Sequence, residues 1–367
     1  MAFDRIQIAD FRNHRATRLD GAARFNLLVG ANGAGKTNVL EALSLFTPGR
    51  GLRRAQLSEM TRDGADGFAI GADLVSGVTP VRLGTAVQPD GSGAPASRRI
   101  VQASGAPLPA SRLAEWLSVA WLTPAMDRLF TDSASGRRRF LDRMVLAIRP
   151  DHATYSGRYD KALRERNRLL SADRSPDPAW LQALEREMAE AGAAIAANRA
   201  AVVEALSQRL AVLPDAPFAR PEISVDPAAP ADADALADKW RTSRSAERGA
   251  GRTLSGPHRD DLAVIMAGTG RAASECSTGE QKALLIAITL AHATLAKAQG
   301  ADGGRPLVLL LDEVTAHLDP VRRAALFGRL EASGAQVWMT GTELALFSGL
   351  EGKAAVWRVI EGVAEKA

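Results

Sequence analysis

Residues 30–37 read Gly-Ala-Asn-Gly-Ala-Gly-Lys-Thr and fit the pattern G-x-x-x-x-G-K-[ST]. The chemistry served by this spacing is the holding of phosphate. Glycines let successive backbone N–H groups point inward at phosphate oxygens. Lys36 brings a mobile positive charge to the terminal phosphates, and Thr37 brings a hydroxyl to Mg²⁺. Gly30, Ala31, Asn32, Gly33, Ala34, Gly35, Lys36, Thr37 and Asn38 are therefore the candidate ATP-binding residues. A second feature is the apolar run Leu307–Leu311, which ends in Asp312 and Glu313. Asp312 is placed to hold Mg²⁺ with Thr37, and Glu313 to orient or deprotonate an attacking water. A buried strand with acids at its solvent end would need no function by itself. Beside a phosphate loop the pair completes a hydrolytic set, with Lys36 and Glu313 as catalytic candidates.

These residues need elements to position them. Around the loop, Phe25–Val29 reads as a strand, and Val39, Leu40, Leu43 and Phe46 fall at helical spacing after it. Residues 68–104 alternate weakly, are rich in Gly, Ser and Pro, and read as short antiparallel strands with exposed turns. From about Gly136 the chain turns helical and charged. Leu181, Leu184, Met188, Ala191, Ile195 and Val202 form an amphipathic seam, with Tyr159, Leu163 and Leu170 as its partner strip. Leu213–Ala235 reads as irregular connection, being rich in Pro, Ala and Asp. After Gly256 the α/β pattern returns: a helix over Ala283–Ala296, the strand Leu307–Leu311, a helix over Val321–Leu330 and a strand over Gln336–Met339. The expected fold is α/β, with a head from residues 1–135 and 251–367 and an inserted arm of antiparallel helices over 136–250.

Length fits this division, since 367 residues at roughly 150 per domain make about two domains. A lone Cys276 excludes an intrachain disulfide and suits a reducing compartment. The opening MAFDRIQIADFRNH carries charge throughout, unlike a secretory signal, and the most apolar helical stretch is too short for a membrane span. The expectation is a soluble, cytoplasmic chain with no membrane partner. Its formal charge of +4 permits a polyanionic one. Bases outnumber acids along part of the middle. Arg137, Arg138, Arg139, Arg164, Arg166 and Arg168 are the candidate phosphate contacts to such a partner, against the plainer reading of a solvated helix face.

Ser277-Thr-Gly279-Glu-Gln281 stands before the helix at Ala283. Ser followed three positions later by Glu is a capping pattern. The same segment resembles the signature motif of the ATP-binding-cassette superfamily. That resemblance implies that Ser277 and Gly279 contact the ATP of a second protomer, in a homodimer formed on ATP. It also implies that the loop Ala316–Asp319 crosses the dimer seam. The stretch from Lys36 to Ser277 is longer than in transporter cassettes and far shorter than in chromosome-organising ATPases. Further segments narrow the match: Asp10–Asn13, Leu122–Leu129, Arg137–Asp142, Tyr159–Leu170 and Ser255-Gly-Pro-His-Arg-Asp-Asp261. With them the chain resembles the RecF family of bacterial recombination mediators. The family implies an ATP- and Mg²⁺-dependent weak ATPase that binds duplex DNA near single-strand junctions, acts with RecR and RecO, and helps load recombinase. The alternative is a cassette ATPase subunit energising transport or chromosome organisation. Where many cassette ATPases carry a switch histidine, this chain has Thr340 and Thr342, and Gln88 and Gln102 are poor matches to the usual glutamine loop. His258 reads either as a phosphate sensor or as a turn-stabilising residue.

Overall fold

The computed structural model describes residues 2–76, 79–88, 98–172, 176–299, 305–316 and 318–367. His317, in the expected seam loop, lies outside them. In chain order the elements begin β1 (Phe3–Phe11), β2 (His14–Asp20), β3 (Phe25–Val29), α1 (Lys36–Ser44), α2 (Leu57–Met60), β4 (Phe68–Ser76), β5 (Thr79–Val87), β6 (Arg99–Ala103), β7 (Ala106–Pro107) and β8 (Ser118–Leu122). Then come α3 (Ala134–Ile148), α4 (His152–Leu170), α5 (Pro178–Ala211), β9 (Pro221–Asp226), α6 (Ala233–Gly249), β10 (Asp261–Met266), β11 (Arg271–Ala272) and α7 (Thr278–Gln299). The chain closes with β12 (Leu307–Leu311), α8 (Pro320–Ser333), β13 (Gln336–Gly341), β14 (Ala354–Ile360) and β15 (Val363–Lys366).

Two compact units form, Met1–Met126 with Thr289–Ala367, and Asp127–Ile288. In the first, β2-β1-β4-β5-β6-β7 make an antiparallel sheet, while β15-β14-β3-β13-β12-β8 make a sheet that is parallel from β14 to β8. In β1, Phe3, Ile6, Ile8 and Phe11 face the core, and Gln7 and Ala9 face outward. Every residue of β12 is buried, as a central parallel strand requires. The core between these elements gathers Phe3, Leu40, Leu43, Phe46, Val308, Trp338 and Trp357, and the two tryptophan rings stack at 5.3 Å.

In the second unit α4, α5 and α6 pack as consecutive antiparallel helices, and Arg158 lies at Glu190 while Arg166 lies at Glu185. The expected seam is real: Leu181, Met188, Ala191, Ile195 and Val202 are buried with Tyr159 and Leu170, and Trp240 of α6 completes it. One expectation fails. Leu213–Ala235 is not all irregular, because β9 pairs with β10 and α6 begins at Ala233. Pro221 can open β9 because a first residue on an edge strand needs no ladder donor. Among the described residues no helix is long and apolar enough to cross a membrane.

Candidate nucleotide-binding site

The phosphate loop runs from the end of β3 to the start of α1. Gly35 takes φ +113, which favours glycine, and a Cβ there would lie 2.7 Å from Asn13 Oδ1. Gly30 is needed for close approach, since its Cβ would meet the Val359 carbonyl at 2.2 Å. The loop is braced from outside. Asn13 Nδ2 donates to the Ala34 carbonyl at 3.1 Å, His14 Nε2 donates to the Gly35 carbonyl at 3.0 Å, and the Gly362 N–H donates to Ala34 at 2.9 Å. Burial holds the His14 ring below its ordinary pKa, against the Gly35 and Gly362 carbonyls that favour its charge. Arg12 grips both oxygens of the buried Glu41 on α1, at 2.8 and 2.9 Å. The Asp10–Asn13 segment thus fastens the hairpin of β1 and β2 to the loop and its helix.

Within the loop Lys36 Nζ donates to the Gly30 and Ala31 carbonyls at 2.7 and 2.8 Å. Burial lowers its pKa, and the Glu313 and Asp312 carboxylates work against that. Thr37 Oγ1 donates to Asp312 Oδ1 at 2.8 Å. Thr340 Oγ1 donates to the same oxygen at 2.7 Å and accepts the Glu313 N–H at 2.9 Å. Thr340 therefore ties the two carboxylate residues together from a fully buried position. Glu313 takes φ +49, a left-handed conformation that is costly for a residue with a side chain and is met at functional sites. A pocket of about 150 Å³ is lined by Asn32, Gly33, Gly35, Lys36, Thr37, Asn38, Arg53 and Glu313. Thr37 and Asp312, 275 positions apart in sequence, are brought together here. Sequence reasoning did not find Arg53, Asn13 or His14 as site residues. Gln88 and Gln102 stand elsewhere, on the outer face of the antiparallel sheet beside Gln7 and Arg18.

Ser277 and Gly279 open α7 and are exposed. Ser277 N and Oγ donate to Glu280 Oε2 at 2.7 and 2.9 Å, so the capping pattern holds. A Cβ on Gly279 would meet nothing within 4 Å.

The arginines divide. Arg139, Arg164 and Arg168 are exposed, and Arg168 pairs with Glu165 at 2.6 Å. Arg137 is half-buried and donates twice to Asp261, at 2.7 and 2.8 Å, while Arg138 donates to the Asp260 carbonyl at 2.6 Å. Arg166 must be withdrawn as a DNA contact. It is wholly buried, bound to Glu185 at 3.0 Å, Glu247 at 2.6 Å and Thr253 at 2.7 Å, and has no surface to offer a polyanion. His258 takes its turn-stabilising role, with Nδ1 accepting from Tyr159 at 2.7 Å and Nε2 donating to the Thr253 carbonyl at 3.3 Å. Burial pushes its pKa down to about 4, so it is neutral at physiological pH.

Similarity to known proteins adds to this geometry. The AAA domain family is matched by residues 5–70. A DNA replication and repair protein RecF of Mesorhizobium japonicum is 47% identical, over 98% of this chain and 96% of that one. One of Caulobacter vibrioides is 44% identical, over 96% and 95%. The chain belongs to the RecF family. Among solved structures, the recombination mediator protein RecF of the RecFOR pathway with ATP superposes with a TM-score of 0.85 at 22% identity, covering 100% of this chain and 97% of that one. The Smc head domain derived from Pyrococcus yayanosii gives 0.57 at 14% identity, covering 100% and 96%. Both likenesses speak to fold: this RecF-family chain has the α/β architecture of those ATPase heads.

Proposed function

We propose that this chain is an ATP-switched, DNA-binding recombination mediator of the bacterial cytoplasm. The observation that carries the reading is the meeting of Thr37 and Asp312 oxygens at 2.8 Å, at a loop whose pocket also holds Lys36 and Glu313. ATP lies along residues 30–38 with Lys36 at its terminal phosphates. The hard oxygen donors Thr37 and Asp312 suit Mg²⁺, which supplies charge neutralisation to the phosphates when bound. Glu313 takes a proton from the attacking water, and slow turnover resets the switch. As functional parts, residues 1–135 and 251–367 make the ATPase head and residues 136–250 the arm, whereas the compact units divide at Asp127 and Thr289.

On ATP, two copies join so that Ser277 and Gly279 of each meet the phosphate held by the other. The exposure of both residues and the open space at Gly279 support this role. Gly279→Ala should leave the fold and ATP affinity intact but weaken ATP-dependent dimerisation roughly tenfold, since its methyl group intrudes only across the seam. Ser277→Arg should do the same more strongly. Light scattering with Mg²⁺-ATP checks both, and dimers as stable as the parent's would refute the role in trans.

The closed dimer binds duplex DNA near single-strand junctions, with RecR and RecO as partners, and helps load recombinase. Replacing Arg139, Arg164 and Arg168 together by alanine should weaken duplex binding and flatten its salt dependence by roughly 0.9 in log–log slope per lost contact. ATP affinity should be kept. A titration over a salt series with ATP decides: an unchanged affinity and slope make these residues a solvated face.

A further inference from the structure

Residues 45–53 leave the C-terminal end of α1 and carry Arg53 to the wall of the nucleotide pocket. Arg53 Nη1 donates to Asn38 Oδ1 at 2.6 Å and to Glu41 Oε2 at 2.9 Å. Glu41 does not depend on that contact, because Arg12 already holds both its oxygens. Arg53 can leave Glu41 without stranding a buried carboxylate, which would be costly. It is thus a surplus cation beside Lys36, Thr37 and Glu313.

What fixes the segment is Arg99 on β6. Its guanidinium donates to the carbonyls of Leu45, Thr47 at 3.4 Å and Gly49 at 2.9 Å, and to Thr85 Oγ1 at 2.8 Å. All four acceptors are neutral. Burial pushes the guanidinium down to about 10. Desolvating a cation against neutral groups is unfavourable unless it satisfies polar groups that would otherwise lack partners. The end of α1 is such a place, where the last carbonyls have no helical donor and the dipole is negative. Ser44 ties the other side, donating to the Glu41 carbonyl at 2.6 Å and accepting from the Leu52 N–H at 2.7 Å.

We propose that Arg99 is a positioning residue of the nucleotide site: by pinning residues 45–53 to the end of α1, it holds Arg53 where its guanidinium meets a nucleotide phosphate. The inference rests on the nucleotide reading above. Arg53 then exchanges Glu41 for phosphate, a charge-assisted partner its planar fork can grip.

A double-mutant cycle on the full chain tests it. Arg53→Ala and Arg99→Met should each weaken Mg²⁺-ATP affinity roughly tenfold, with the thermal transition monitored to show folding. Because Arg99 acts through Arg53, the double variant should bind no worse than either single one, within about twofold. Effects that multiply towards a hundredfold would make Arg99 a general fold residue and overturn the proposal. So would parental affinity in either folded single variant. If Arg99→Met does not fold, Arg99→Lys keeps the charge with fewer donors and runs the same cycle, with a loss of about threefold expected. Failure of the nucleotide reading looks different: the unsubstituted chain binds no ATP, and Lys36→Ala changes nothing.

Discussion

Lys36→Ala should reduce ATP affinity by roughly 30- to 150-fold while leaving the chain folded. The ammonium supplies the loop's mobile positive charge, and a charge-assisted contact to phosphate contributes roughly 2–3 kcal/mol. Its present partners are the Gly30 and Ala31 carbonyls at the loop mouth, so the side chain is already inside the cradle. Burial makes the ammonium easier to deprotonate, and the Asp312 and Glu313 carboxylates restrain that. Lys36→Arg is not a conservative control, because a planar fork does not fit where a compact ammonium sits between two carbonyls. Titration calorimetry with Mg²⁺-ATP checks the claim. Parental affinity in a folded Lys36→Ala chain would remove the phosphate-loop assignment.

Glu313→Gln should leave ATP affinity within about threefold of the parent and lower turnover by roughly 100- to 10,000-fold. The amide preserves the shape of the side chain and the backbone bond from Glu313 N to Thr340, so the left-handed conformation survives. Asp312, held by Thr37 and Thr340, stays in place for the proposed Mg²⁺. What disappears is the carboxylate proposed to accept a proton from water. Phosphate release under single-turnover conditions measures this directly. Turnover equal to the parent's would mean that the base is another residue. The same variant should prolong the life of the ATP-bound dimer, because the trigger for opening has been removed.

Much of this site was legible because its parts are local. The phosphate loop is eight consecutive residues between a strand and a helix, and the Leu307–Leu311 run announces the carboxylates that follow it. Thr340 was noticed as a substitute for a histidine, but its bridging role could not be read, since it depends on β12 and β13 lying side by side. Asn13 and His14 reach the loop through a hairpin whose register no local pattern reports. Arg53 enters the pocket through an irregular segment held by Arg99, nearly fifty positions on.

The error at Arg166 has a plainer cause. By charge alone the basic run of α4 makes one surface, although a helix has sides. Tyr159, Ala162, Arg166, Leu169 and Leu170 follow helical spacing, and all are buried. Arg164 and Arg168 fall off that stripe and are exposed. That spacing places Arg166 in the seam, where Glu185 and Glu247 offset its charge. β9 was missed because Pro221 and the Pro-Ala-Asp composition around it resemble a linker, and only its pairing with β10 makes it a strand.

The central claim is that ATP joins two copies of this chain. Its most direct measurement is the molar mass in solution by light scattering, with Mg²⁺ present, first without nucleotide and then with ATP. The expected mass is that of one chain without nucleotide and of two with ATP, the second state being lost in Lys36→Ala and weakened in Gly279→Ala. A mass that is the same with and without ATP, in a preparation shown by titration to bind it, would rule out the ATP-driven dimer.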